Sequence, residues 1–127
     1  MQKGVYEYAV IRVVPRVERE EFMNVGVVLF SKPNNFIGML YEINEARLLS
    51  FAPDLDIEAI RKNLEAFELI VKGDKKGGRI AMEDKASRFR WLTAVRSSVI
   101  QTSRPHPGLC LEPDKTLQCL FDDFVKI

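Results

Sequence analysis

The chain has 127 residues, 46% hydrophobic and 29% charged, with 19 Lys and Arg against 18 Asp and Glu and a formal net charge of +1. That length gives a single domain over residues 1–127 that buries roughly two-thirds of its unfolded surface. The apolar fraction excludes a disordered chain, and the near balance of charge argues against a wholly basic nucleic-acid binder or an acidic tail protein.

Residues Val5–Val14 (VYEYAVIRVV) are rich in β-branched and aromatic types and stop at Pro15. Alternation puts Tyr6, Tyr8, Val10, Arg12 and Val14 on one face and Val5, Glu7, Ala9, Ile11 and Val13 on the other. Both faces are mainly apolar, as in an interior strand. Val25–Ser31 (VGVVLFS) reads as a second strand, with Gly26 marking a bulge, and Phe36–Tyr41 (FIGMLY) as a third. The polar cluster Ser31–Asn35 between them predicts an antiparallel hairpin.

A short helix is expected around Asn44–Leu49. A longer one follows, because Ile57, Ile60, Leu64, Phe67 and Val71 form one stripe at spacings of three and four. Asp54 or Asp56 caps its start, and Gly73 stands where a terminating glycine belongs. Glu58–Lys62 and Glu68–Lys72 are spaced for exposed ion pairs. Lys72–Arg79 (KGDKKGGR) lacks the ending of a phosphate loop and reads as a flexible polar surface loop. A helix over Glu83–Ala94 and a weak strand over Ser98–Thr102 come next. Arg104–Gly108, with prolines on both sides of His106, reads as irregular. Asp114 is placed to cap a last helix, whose buried stripe is Leu117, Leu120, Phe121 and Phe124, with Cys119 as a small core residue. The order β-β-β-α-α-β-α predicts an α+β fold, an antiparallel sheet of three to four strands with helices packed on it.

Cys110 and Cys119 are too few for a disulfide framework, and with one His in the chain they make no zinc site, so no metal or cofactor is expected. Cys110 falls in a loop near His106, where no third partner completes a nucleophilic Cys–His pair. Met1–Val10 lacks the apolar core of a signal peptide, and the longest dense apolar run, Val25–Phe30, is far short of a membrane span. A cytoplasmic location away from membranes is the expectation.

Two segments carry candidate binding chemistry. Pro15–Asn24 joins two strands that a tight turn could have joined, and five of its ten residues are charged: Arg16, Glu18, Arg19, Glu20 and Glu21. Either these pair with one another on a solvated turn, or Arg16 grips an anion while Glu20 or Glu21 holds a partner or a metal. Phe22 is expected to insert into the core and pin the segment. Arg12, three residues before the segment, and Asn24, its last residue, join the candidates. The second segment, Lys85–Leu111, has no acidic residue and sums to +5, leaving −4 over the other 100 residues. Its Arg88, Arg90, Arg96 and Arg104, with His106 fixed between prolines, Trp91 for stacking and the hydroxyls of Ser97, Ser98, Thr102 and Ser103, suit an anion or a nucleic acid. Alternatively these arginines are neutralised by the acidic loop.

Tyr8–Ala9–Val10–Ile11–Arg12 and Pro15–Arg16 through Glu20–Glu21–Phe22–Met23–Asn24–Val25–Gly26–Val27 resemble a family of small bacterial proteins known only as a domain of unknown function. Trp91–Leu92–Thr93–Ala94, Val99–Ile100–Gln101–Thr102–Ser103 and His106–Pro107–Gly108–Leu109 are similar to the same family. The resemblance spans nearly the whole chain and brings no established activity. It implies a neighbour of kinase fold similar to the HipA toxins as a protein partner. It also directs attention to the charged loop and the acid-free segment as one site.

With no Ser–His–Asp signature or dinucleotide fingerprint, the reading leans away from an enzyme and toward a protein-interaction module. The alternatives are nucleic-acid or nucleotide binding through Arg88, Arg90, Arg96, Arg104 and His106, and a metal-dependent phosphoester-processing enzyme built on Glu20, Glu21 and His106. A homodimer is the ordinary default.

Overall fold

The computed structural model describes residues 3–126. The β-branched N-terminal run forms β1 (Gly4–Val13), followed by β2 (Met23–Ser31) and β3 (Phe36–Tyr41). Helices α1 (Glu45–Phe51), α2 (Ile57–Lys72) and α3 (Lys85–Leu92) come next, then β4 (Ile100–Thr102), β5 (His106–Cys110) and α4 (Pro113–Phe124). All strand pairs are antiparallel, in the order β3-β2-β1-β4, with β5 lying beyond β4 along the same side of β1. The α+β class holds, and the sheet has five strands where three to four were expected.

The additional strand is β5, in the stretch read as irregular. Proline is excluded from central strands because it has no N–H for the ladder, but an edge strand needs donors on one side only. Pro107 sits on such an edge, opposite Glu7 of β1. Gly108 fits there because the Tyr6 ring lies over it, and a Cβ would stand 2.4 Å from that ring. Between β4 and β5, Ser103 keeps contact with β1: its N–H donates to the Val10 carbonyl (2.8 Å), and its hydroxyl accepts the Val10 N–H (2.9 Å).

Each face of the sheet meets a different helical layer. Ala9, Ile11, Val13, Val25, Val28 and Phe30 pack beneath α1–α3, against Leu48, Ile60, Leu64, Phe67, Phe89 and Leu92. On the other face α4 lies over β2 and β3, with Leu117, Phe121 and Val125 on Val27 and Leu29. Among the described residues, the part of this face built by β1, β4 and β5 meets only the end of α4, where Phe124 reaches Tyr8.

The caps follow the chain chemistry. Asn44, Asp56 and Asp84 accept the N–H groups of Arg47, Ala59 and Ser87, and Gly73 ends α2 at φ 69°. For α4 the cap position falls on Glu112, not Asp114, because Pro113 fills the first turn, where its missing N–H costs nothing. On α2, Glu58 pairs with Arg61 (3.3 Å) instead of Lys62, while Glu68–Lys72 forms as spaced (3.7 Å). Lys72–Arg79 is held in a 3-10 turn (Lys75–Gly77), with Gly77 pressed against Leu69 and Ala81. Three further expectations reverse. Cys119 is exposed, and Cys110 is a buried strand residue, not a loop thiol. Phe124 is 40% exposed, since the helix end overhangs the uncovered half of the sheet.

Candidate functional site

The uncovered half-face owes its chemistry to one bulge. Ile11 of β1 pairs with Gly26, but the next residue, Arg12, pairs with Asn24, so Val25 is the extra residue. A one-residue insertion shifts the side-chain phase of a strand. Val25 and Met23 therefore go to the α1–α3 core, and Asn24 is turned to the opposite face beside Arg12. Gly26 is required at this point. A Cβ there would lie 2.7 Å from the Leu40 carbonyl oxygen and 2.9 Å from Tyr41 Cβ.

Arg12 and Asn24 open into a trough of about 270 Å³ bounded by Tyr8, Val10, Phe22, Ser103, His106 and Phe124. The guanidinium of Arg12 lies 3.8 Å above the centre of the Phe22 ring, a cation–π contact. Phe22 is thus 44% exposed and supports Arg12, where core insertion was expected. No carboxylate among the described residues lies within ion-pairing distance of Arg12. Its Nε is buried without an acceptor, and burial pulls the guanidinium below the usual arginine range. Asn24 Nδ2 donates to the Phe124 carbonyl (3.2 Å), whereas its Oδ1 is buried without a donor. His106 stands opposite Tyr8 across the β1–β5 pair, ring centres 5.4 Å apart, and Tyr8 stacks on Phe124 at 5.8 Å. A second depression of about 380 Å³ shares Arg12 and Phe22 and continues to Val14, Val17, Glu20 and Gln101.

The other candidate residues lie elsewhere. Arg16 pairs with Glu18 (3.4 Å) and Arg19 with Glu21 (2.8 Å), all four exposed. Arg16, Arg19 and Glu21 face a separate cleft of about 500 Å³ against the α1–α2 connection, Phe51–Leu55. Arg90 holds Glu7 with two hydrogen bonds (2.6 and 3.1 Å), which raise its pKa. Arg96 stacks on Trp91 and Phe67 and donates to the Trp91 carbonyl. Arg88 is buried, donating to the Ile70 and Val71 carbonyls at the end of α2 (2.9 and 3.0 Å), a favourable place for a cation. Arg104 is exposed. The acidic loop therefore pairs within itself, and the acid-free segment uses most of its arginines on its own neighbours. Glu20, Glu21 and His106 line three different depressions. Among the described residues no three His, Cys, Asp or Glu side chains cluster as a metal site.

The trough unites Arg12, Asn24 and His106 of the sequence candidates, with Glu20 on its extension. Ser103, noted for its hydroxyl in the acid-free segment, also lines the trough, whereas sequence reasoning missed Tyr8 and Phe124 and read Phe22 as a core anchor. The available signal was the strand alternation that set Tyr8, Val10 and Arg12 on one face, a charge in an otherwise apolar row.

A family model matches residues 8–125, from Tyr8 at the trough through α4 and the Phe124 that walls it. The chain belongs to the family described as Protein of unknown function (DUF3037). No curated protein and no solved structure gives a match. The family assignment thus covers every residue of the trough, and no helix among the described residues is long and apolar enough to cross a membrane.

Proposed function

We propose that this domain is a protein-interaction module whose trough receives a short segment of a partner. The observation that carries the reading is Arg12: half-buried, stacked on Phe22, and left without a carboxylate at the floor of a solvent-open groove. An arginine held this way has already lost part of its hydration and side-chain freedom, so a ligand group that reaches it meets little further cost. Tyr8, His106, Phe22 and Phe124 supply the aromatic walls that partner-binding surfaces favour. At about 270 Å³ the trough has room for one or two side chains, and the adjoining depression of about 380 Å³ lengthens it for a segment of chain.

A photo-crosslinking amino acid at Gln101, on the trough extension, tests this in the native host, with the same probe at exposed Lys62 of α2 as the control. The expected result is a crosslinked species specific to position 101 and abolished by Arg12→Glu. Equal products from both positions, or products that survive Arg12→Glu, overturn the reading. A protein of kinase fold, the partner implied by the sequence resemblance, is the first to examine as the crosslinked species.

A further inference from the structure

The two unpartnered polar atoms of the trough differ in kind, and the difference selects a ligand. Arg12 Nε–H is a donor, and Asn24 Oδ1 is an acceptor. The residues are direct neighbours across the bulged β1–β2 pair and line the same groove; both atoms are covered in the free domain, so a ligand meets them as the Phe22 ring against Arg12 shifts aside. Asn24 cannot exchange its two ends freely, because a flipped amide would set its oxygen against the Phe124 carbonyl that Nδ2 now satisfies. The acceptor therefore stays in the trough.

A carboxylate entering beside Arg12 would gain the charge but would bring a second lone-pair-bearing oxygen to Asn24 Oδ1. A primary carboxamide presents an oxygen and an N–H side by side and satisfies both groups at once. Leaving a buried polar group unmade costs more than an average hydrogen bond gains, so the pairing decides preference. We infer that the Arg12–Asn24 pair reads the side-chain amide of a glutamine or asparagine on the partner segment, its aliphatic stem lying on Val10 between the Tyr8 and Phe22 rings. This rests on the trough being a partner-binding site and adds what it selects. A nucleobase edge also carries adjacent donors and acceptors. Single-stranded nucleic acid, however, binds through several phosphate contacts, and Arg88, Arg90 and Arg96 are occupied by protein groups.

Heteronuclear NMR titration of the whole chain tests the inference, using N-acetyl-glutamine methylamide, N-acetyl-glutamate methylamide and a single-stranded oligoadenylate as probes at neutral pH. The Arg12 Nε–H is directly observable and reports on the atom in question. The expected result is a saturable downfield shift of that proton with the glutamine probe, at millimolar concentration, and binding at least about tenfold tighter than the glutamate probe. In Asn24→Ala, whose trough lacks the acceptor, the preference should fall to within about twofold or turn toward glutamate. Core amide resonances of the variant report on its fold. The wild-type comparison stands without the variant.

Preference of the wild type for glutamate, or a shift by oligoadenylate alone, overturns the carboxamide assignment. No saturable shift of the trough by the glutamine probe up to roughly 50 mM overturns it as well. The crosslinking from position 101 separates these failures from that of the interaction reading: an Arg12-dependent crosslink alongside a glutamate preference leaves the module intact and its selectivity misassigned.

Discussion

Replacing Gly26 by alanine tests whether the bulge that aims Asn24 depends on the missing side chain. The new methyl would stand 2.7 Å from the Leu40 carbonyl oxygen, 2.9 Å from Tyr41 Cβ and 3.3 Å from Tyr41 Cα. Two of these atoms belong to the β3 backbone, so a rotamer change does not relieve the clash. Overpacking of this kind costs about 2–3 kcal/mol, and the reduced freedom of the unfolded chain returns about 0.5 kcal/mol, leaving a net loss of about 1.5–2.5 kcal/mol. At about 2.1 cal/mol/K per residue, a chain of this length unfolds with an entropy of roughly 270 cal/mol/K, so the melting temperature should fall by about 6–9 °C. Thermal unfolding followed by circular dichroism reads the shift. Hydrogen exchange at Arg12 and Asn24 reports whether the neighbouring pair loosens with it. A variant melting within about 2 °C of the wild type would show that β3 yields without cost and would refute the reasoning.

Arg88→Met keeps the volume but strips the donors from the Ile70 and Val71 carbonyls, and urea unfolding should show a loss of about 2–4 kcal/mol; a change below about 1 kcal/mol would remove the helix-end role. The Asp84 carboxyl is held below the usual aspartate range, first by the Ser87 backbone N–H and then by the Ser87 side chain, so its stabilising effect is present above about pH 4 and fades as pH falls through the depressed value. Asp84→Asn should therefore be less stable than the wild type at neutral pH, with the gap closing in acid; a gap that widens on acidification contradicts the assignment. With a thiol reagent under native conditions, exposed Cys119 should react promptly and buried Cys110 only on unfolding, and rapid modification of both would refute the placement of Cys110 in β5.

The sheet and its helices were legible because their patterns are local. The alternation in β1, the stripe of α2 and the glycine at its end each specify an element without reference to the rest of the chain. β5 was not, since a proline disqualifies a strand only until the strand is known to lie at an edge, and edge position is a property of the assembled sheet. Half of the site was legible in the same way. Arg12, Asn24, Ser103 and His106 stood out by charge or chemistry, and Gly26 signalled the bulge. Their convergence depends on which strands flank β1, and the fates of Arg88, Arg90 and Arg96 depend on partners between five and 83 residues away. Phe22 shows the limit of hydropathy: an aromatic ring beside a charged loop reads as an anchor, and here its face carries a guanidinium.

The interrupted outer strand bears on the behaviour of the protein at high concentration. An unbroken β-edge offers a row of outward N–H and C=O groups on which further chains can add. Here Ser103 directs its N–H and its hydroxyl to Val10, while Pro105 and Pro107 have no N–H to offer. Strand-by-strand growth into fibrils finds a poor template along β4 and β5. The molecule can thus leave an aromatic half-face open to solvent while the strands beneath it resist recruiting further copies.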